Sequence, residues 1–151
     1  MMQISPYLTF RGNCREAMSF YQSCFGGALS IQTVEESPIA KHLPKELKDY
    51  VLQSTLCKEG LSMQGSDMVA EEGLFHGNRI SLSIESNNIQ EIKSLYQKLS
   101  EGGTQNEPLT YNYWGILLGE VTDKFGTRWM LHCKAESSVA ETISQTQPPG
   151  P

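Results

Sequence analysis

A twenty-residue stretch near the start of the chain, LTFRGNCREAMSFYQSCFGG (Leu8–Gly27), contains the pattern that decides the fold. It begins with a short strand-like segment, turns at Gly-Asn, continues with apolar residues at helical spacing and ends on two glycines. A second stretch, ISLSIESNNIQEIKSLYQKLSEGG (Ile80–Gly103), follows the same order. Because both stretches show one supersecondary pattern, the chain is predicted to contain two copies of one unit.

Both predicted helices carry signals for where they begin and end. Asn13 and Asn88 stand at favourable N-cap positions. In each copy a glutamate follows three residues later, which is the position of a capping-box partner. The paired glycines after each helix can adopt the left-handed conformation that ends a helix. Each helix also has one apolar stripe, which predicts that it packs against a sheet.

Strand-like segments follow each helix and complete the repeat. They are short, often alternate between apolar and polar residues, and are bounded by Gly, Asp or Pro. The predicted strands after the helices are 29–34, 51–57, 61–66, 104–109, 114–121 and 127–133. The last two are joined by Asp123–Gly126, which we interpret as a turn. The predicted fold class is therefore α+β, with two tandem βαβββ modules.

The repeat also accounts for the length of the chain. With 151 residues and a mass of 16.8 kDa, the chain suits a single domain made of two fused copies. Module one is predicted at about 4–67, a linker at about 68–78 and module two at about 79–133, so that one domain covers about 1–135. The remaining residues, 136–151, end in QTQPPGP and are predicted to form a flexible tail.

One segment, Ser37–Tyr50, breaks the repeat. Its apolar residues Ile39, Leu43 and Leu47 are spaced four apart, and Pro44 stands where a helix could start. The segment is predicted to be an amphipathic insertion that covers a pocket or meets a partner. Simple packing against its own module is the alternative.

Charge and composition exclude several classes of partner. Seventeen acidic residues outnumber 12 basic ones, and no basic cluster is visible, so nucleic acid is not an expected partner. No apolar stretch approaches the roughly 20 residues of a membrane span, and the N-terminus lacks a secretory signal. The four cysteines form no CxxC pair. A cytoplasmic protein with reduced thiols is therefore expected.

Three blocks of sequence resemble the PhnB-like (YjdN-like) family of the vicinal oxygen chelate (VOC) superfamily, which includes glyoxalase I, extradiol dioxygenases and the bleomycin resistance proteins. They are SPYLTFRGNCREAMSFYQSCFGG (Ser5–Gly27), LSMQGSD (Leu61–Asp67) and YWGILLGEVTDKFGTRWM (Tyr113–Met130). The resemblance implies a glyoxalase-like fold in which mixed sheets curl around a shared cavity, and a homodimer. Some members are labelled 3-demethylubiquinone methyltransferase, but no glycine-rich loop that would hold an adenosyl cofactor is present.

Glyoxalase-type relatives bind a divalent ion through four inward-facing side chains. The resemblance and strand alternation imply that the corresponding positions are Ser5, Gln64, Arg79 and Met130, and that Arg128 points the same way as Met130. Only Gln64 offers a suitable ligand oxygen, and the fixed positive charge of Arg79 would repel a cation. Neither a metal nor any other cofactor is therefore expected.

The cavity is predicted to bind an anionic or oxygenated small molecule instead. Arg79 offers a planar fork of donors that pairs well with carboxylate or phosphate. Tyr7 and Trp114 would supply apolar walls, and Gln64 would supply a polar contact. His132 could reach the rim, with a surface position as the alternative. The candidate ligand-binding residues are therefore Tyr7, Gln64, Arg79, Trp114 and His132.

Other roles are open for several of these residues. Arg79 could instead form a salt bridge with Glu85 or Asp67, and Trp114 could pack in the core. Trp129 is predicted to lie in the core beneath the helix. Asp67 ends a strand, where it could serve as a base or cap a turn.

No catalytic residue is predicted, because no serine lies in a G-x-S-x-G setting and no cysteine has an assigned base. A metal-free small-molecule binding protein is the preferred hypothesis. The alternative is a VOC-type enzyme, metal-independent or with a non-standard metal site, that acts on a small oxygenated substrate. A third hypothesis is a structural or regulatory partner with a vestigial pocket.

Overall fold

The computed structural model describes residues 1–134, and the predicted C-terminal tail, 136–151, lies outside them. Contacts along the chain divide it into two compact units, Met1–Phe75 and a second that begins at His76. Each unit contains one α-helix and one four-stranded mixed sheet. The predicted α+β class with two tandem βαβββ modules is confirmed.

The first unit packs one helix on one face of its sheet. Its elements are β1 (Tyr7–Thr9), α1 (Cys14–Phe25), β2 (Ala28–Thr33), β3 (Val51–Lys58) and β4 (Leu61–Ser66). The strand order is β1-β4-β3-β2, with β1 parallel to β4 and the other neighbours antiparallel. A Cβ atom at Gly65 would lie 3.1 Å from Met18 Sδ and 3.2 Å from Cys14 Sγ, so this glycine allows α1 to approach β4 closely.

The second unit repeats this topology. Its elements are β5 (Leu82–Ser86), α2 (Ile89–Ser100), β6 (Thr104–Tyr111), β7 (Ile116–Thr122) and β8 (Arg128–Lys134). The strand order is β5-β8-β7-β6, and β5 is parallel to β8. The second stretch of the sequence repeat begins at Ile80, but pairing with β8 begins at Leu82 and Ile80 is 75% exposed.

The two helices differ in how they begin. The side chain of Asn88 accepts a hydrogen bond from the backbone N–H of Glu91 at 3.1 Å, so the predicted cap of α2 is confirmed. Asn13 makes no such hydrogen bond, and the corresponding prediction for α1 is wrong. The carboxylate of Asp67 accepts from the first backbone N–H of α1 instead, that of Cys14.

The insertion forms a self-closed loop in the first unit. It contains two single-turn 3₁₀ helices, Ala40–His42 and Lys45–Leu47, rather than one amphipathic helix. Backbone hydrogen bonds from Val34 N to Tyr50 O (2.9 Å) and from Glu35 N to Lys48 O (3.0 Å) close its neck. The loop therefore holds its own shape through local hydrogen bonds.

All four cysteines are free, in agreement with the expectation of reduced thiols. Cys14, Cys24 and Cys133 are buried, and Cys57 is exposed. In the part of the chain from 1 to 134, no helix has the length and apolar character needed to cross a membrane.

Candidate ligand-binding faces

Each sheet has an open face, which we define as the face opposite its helix. In the first unit, Tyr7, Gln64, Thr55 and Ser30 lie directly opposite one another across the four strands and form one row on this face. Two candidate residues, Tyr7 and Gln64, are therefore side by side within this unit. Tyr7 is 56% exposed and Gln64 is also exposed. The row offers hydroxyl and amide groups without any formal charge.

Ser5 and Gln64, two of the four positions implied by glyoxalase-type relatives, are not directly opposite each other. The residue opposite Gln64 is Tyr7, whereas the hydroxyl of Ser5 donates to the hydroxyl of Ser62 at 3.2 Å. Ser5 and Ser62 therefore lie on the same face, two residues before Tyr7 and Gln64 respectively.

The open face of the second sheet includes one side of β8 and the residues directly opposite it on β5 and β7, among them Glu120 opposite Met130. Arg128, Met130 and His132 alternate along this strand with the buried residues Trp129 and Leu131, as the sequence predicts. The three side chains thus share the open face. Their order places a cation, a thioether and an imidazole along one line.

A hydrogen bond joins β5 to β8 on this face. The hydroxyl oxygen of Ser83 lies 2.9 Å from Nε2 of His132. Ser83 is directly opposite Met130, and Glu85 is directly opposite His132. The carboxylate of Glu85 lies 3.8 Å from Nζ of Lys134, in an exposed ion pair. The imidazole of His132 therefore forms a hydrogen bond with a serine hydroxyl, and the Glu85–Lys134 ion pair lies beside it.

Arg128 lies at the other end of the same line. Its Nε is enclosed and has no hydrogen-bond partner in the described structure. Among residues 1–134 Arg128 forms no ion pair with a carboxylate. A guanidinium N–H that is shielded from water and lacks an acceptor favours an anionic or carbonyl oxygen from outside the chain.

Arg79 is not part of this line. It is exposed and lies three residues before β5 begins at Leu82. Glu85, one of its alternative partners, is paired with Lys134. The structure thus separates Arg79 from Met130 within the second unit, where Ser83 occupies the position opposite Met130.

Trp114 is presented by a tight turn between β6 and β7. The side-chain oxygen of Asn112 accepts from the backbone N–H groups of Trp114 (2.9 Å) and Ile116 (3.0 Å). Trp114 is 61% exposed, so it does not pack in the core. Trp129 is 4% exposed and its indole N–H donates to Asp123 at 2.8 Å, which confirms its predicted place in the core.

The donors at the four positions implied by glyoxalase-type relatives do not fit a hard divalent ion. They comprise a hydroxyl, an amide, a guanidinium and a thioether, whereas such ions prefer carboxylate, carbonyl and water oxygens. In the stretch 1–134, no group of three or more His, Cys, Asp and Glu side chains is placed to hold a metal. No chemical step is therefore assigned to a metal here.

Two residues of this face, Ser83 and Arg128, are not among the candidate ligand-binding residues predicted from the sequence. The Ser83–His132 contact has no local sequence signal, because the two residues are 49 positions apart. For Arg128, strand alternation predicts that its side chain shares the face of Met130, and this pattern could have identified it as a candidate. The prediction for Arg79 depends on a strand that already includes residue 79, whereas β5 begins at Leu82.

The twice-repeated βαβββ topology, with the first strand of each unit parallel to the last, is the fold of the VOC superfamily. A glyoxalase/bleomycin resistance protein/dioxygenase family enzyme from Burkholderia phytofirmans PsJN shares this fold, with a TM-score of 0.59 and 11% identity over 85% of this chain and 94% of that chain. The chain belongs to the PhnB-like family of this superfamily, and the family model described as 3-demethylubiquinone-9 3-methyltransferase matches residues 2–132.

Individual relatives agree with this membership. Protein YjdN of Escherichia coli (strain K12) is 27% identical over 141 residues, which cover 87% of this chain and 95% of that protein. The crystal structure of protein PA1353 from Pseudomonas aeruginosa has a TM-score of 0.77 and 32% identity, covering 90% of this chain and 100% of that chain. The PhnB protein from Bacillus cereus has a TM-score of 0.69 and 27% identity, covering 87% and 99%.

Proposed function

We propose that this protein is a cytoplasmic, homodimeric and metal-free binding protein for an anionic or oxygenated small molecule. The observation that carries the proposal is the open face of the second sheet. There Arg128, whose Nε lacks an acceptor, shares one face of β8 with His132, which is hydrogen-bonded to Ser83.

The chemistry of this face suits an organic anion. A guanidinium binds carboxylate or phosphate through two parallel N–H groups. Arg128 and His132 are four residues apart on one strand, so their Cα atoms are separated by about 13 Å. Met130 lies between them. A molecule with an anionic group at Arg128, a middle part that lies over Met130 beside Glu120, and an oxygen at the Ser83–His132 pair matches this order.

The first sheet supports an oxygen-rich ligand in a different way. Tyr7 and Gln64 are uncharged, lie directly opposite each other and are exposed. Such groups form hydrogen bonds with hydroxyl and carbonyl oxygens without requiring a charge. Trp114 adds an exposed aromatic surface in the second unit.

Methyl transfer, the activity in the description of the family model, is not part of this proposal. Between β1 and α1 the chain contains one glycine, Gly12, and the connection between β5 and α2 consists of Asn87 and Asn88. A loop that cradles the phosphates or ribose of a nucleotide-like cofactor needs several glycines between a strand and a helix. Among residues 1–134, neither strand–helix connection has that character.

Binding of organic anions to matched arginine variants tests the proposal. Arg128→Gln, Arg79→Gln and Arg15→Gln each remove one positive charge, and Arg15 lies on the exposed face of α1. Isothermal titration with a panel of dicarboxylates and hydroxy acids should show affinity falling about thirtyfold in Arg128→Gln, as expected for the loss of a charged bidentate contact. The two other variants should bind within about twofold of the parent.

Three results would contradict the proposal. Equal losses in all three variants would mean that only net charge matters. Stoichiometric metal in protein purified without added ions, with ligand binding lost on chelation, would show that binding depends on a metal. A mass of 16.8 kDa in light scattering, rather than twice that value, would remove the homodimer.

A second candidate function is a metal-independent enzyme that acts on a small oxygenated substrate, and the Ser83–His132 hydrogen bond favours it. In its neutral form His132 could accept a proton from a substrate, with Ser83 as the positioning residue that orients the ring. The two functions differ in what happens to the ligand. A bound compound recovered chemically unchanged by mass spectrometry supports binding alone. Turnover that survives a chelator and disappears in His132→Gln supports the enzyme.

A further inference from the structure

The insertion lines a half-open pocket in the first unit. The pocket has a volume of about 350 Å³, and its lining includes Val34, Glu35, Leu43, Pro44, Lys45 and Lys48. The hydrogen bonds that close the neck of the loop at Val34–Tyr50 and Glu35–Lys48 lie beside it. The side chain of Ser37 also donates to Val34 O at 2.7 Å. The walls are therefore held by local hydrogen bonds.

Apolar and basic groups are separated within this pocket. Leu43 and Pro44 supply an apolar surface, to which Val34, only 1% exposed, contributes little. Lys45 and Lys48 are exposed and complete the lining. Among residues 1–134 neither lysine forms an ion pair, so their charges have no carboxylate partner in the described structure.

Glu35 is the one acidic residue of the lining. Within the lining two ammonium groups face one carboxylate, so the excess of positive charge is confined to the lining, while the whole segment 34–50 has four acidic residues and three lysines. Charge complementarity therefore favours an anion over a neutral or cationic ligand. The volume lies at the low end for ligand pockets, which favours a compact molecule.

We propose that the insertion pocket is a second small-molecule site, one that binds a compact organic monocarboxylate. The carboxylate interacts with Lys45 and Lys48, and a short aliphatic or aromatic body lies against Leu43 and Pro44. The inference does not depend on the proposed function, because every residue it uses belongs to the insertion or its neck.

Titration of ¹⁵N-labelled full-length protein with hexanoate and benzoate tests the site. The backbone amide signals of Glu35, Leu43, Lys45 and Lys48 should shift and saturate together. Hexan-1-ol and benzyl alcohol have the same apolar bodies without the charge, and they should bind at least about fivefold more weakly. Saturable shifts that avoid the insertion, or equal affinity for acid and alcohol, would overturn the proposal.

Charge-matched variants locate the contact. Lys45→Ala combined with Lys48→Ala should weaken hexanoate binding at the insertion at least about fivefold. The control, Lys41→Ala combined with Lys93→Ala, removes the same charge from two exposed lysines outside the lining and should change affinity less than about twofold. Glu35→Gln removes the acid from the lining and should tighten binding. Equal weakening by both double variants would refute the site.

The same spectra separate this site from the proposed function. Arg128→Gln should leave the hexanoate-induced shifts in the insertion unchanged. If the insertion signals do not respond while binding at Arg128 persists, only the second site fails. If Arg128 makes no difference to any ligand while the insertion signals respond, only the proposed function fails.

Discussion

The side-chain carboxylate of Asp67 accepts a hydrogen bond from the backbone N–H of Cys14 at 3.0 Å, across 53 residues of sequence. The same oxygen accepts from Gly12 N at 2.8 Å, and the other oxygen accepts from Val51 N at 2.8 Å. Asp67 is 3% exposed. One buried carboxylate therefore joins the start of α1 and the start of β3 to the end of β4. The sequence left two roles open for Asp67, a base or a cap. The structure supports a cap, because the carboxylate accepts from backbone N–H groups at the start of α1.

Replacement of Asp67 should destabilise the first unit strongly. Asp67→Ala leaves three backbone N–H groups without their acceptor, and we expect the free energy of unfolding to fall by about 3 kcal/mol or more. Asp67→Asn keeps one acceptor oxygen and places an amide N–H₂ near a second donor, so a smaller loss is expected. Urea denaturation measures both, with the exposed Asp49→Ala as control. A loss below about 1 kcal/mol in Asp67→Ala would contradict this role.

The equivalent asparagines of the two modules should respond differently to alanine. Asn88 accepts a hydrogen bond from Glu91 N, and we expect Asn88→Ala to lower the free energy of unfolding by about 1 kcal/mol. Asn13 makes no side-chain cap, because Asp67 binds the start of α1, so Asn13→Ala should cost less than half as much. Denaturant titrations of the two single variants provide the comparison. Equal losses would show that sequence position, and not the observed hydrogen bond, decides the effect.

The sequence predicts the repeated part of the fold well, because local patterns determine it. The alternation Arg128, Trp129, Met130 already separates the open face of β8 from its core face, and the structure agrees. The cap at Asn88 and the turn at Asp123, whose side chain accepts from the N–H groups of Phe125 and Thr127, are also local. Each depends on residues only a few positions apart.

The parts that the sequence did not predict depend on residues that are distant along the chain. Apolar alternation continues from Ile84 back to Ile80, yet the strand begins at Leu82 because pairing with β8 begins there. Periodicity cannot show where a partner strand ends. The Ser83–His132 hydrogen bond spans 49 residues and follows from the same register. The candidate site could therefore be placed on the correct sheet face, but its pairs needed the register of the strands.

Two glycines of the first unit, Gly27 between α1 and β2 and Gly60 in the turn between β3 and β4, should differ in their tolerance of alanine. Gly27 and Gly60 both have positive φ, 99° and 80°, so alanine is strained at each position. A Cβ atom at Gly27 would lie 2.8 Å from the carbonyl oxygen of Cys57, whereas nothing lies within 4 Å of one at Gly60. We expect Gly27→Ala to cost at least about 1 kcal/mol more than Gly60→Ala in urea denaturation. Equal costs would mean that the backbone opens at Gly27 without penalty.

The four thiols should react at very different rates in the native protein. Cys57 is exposed, whereas burial raises the pKa of Cys14 to about 11 and also raises the pKa of Cys133. A raised pKa keeps a thiol protonated, so at about pH 8 only about one Cys14 side chain in a thousand is the reactive thiolate. An aromatic disulfide reagent should therefore modify one thiol rapidly, and the other three only after unfolding. Cys57→Ser should abolish the rapid phase; a rapid phase that persists would place an accessible thiolate elsewhere.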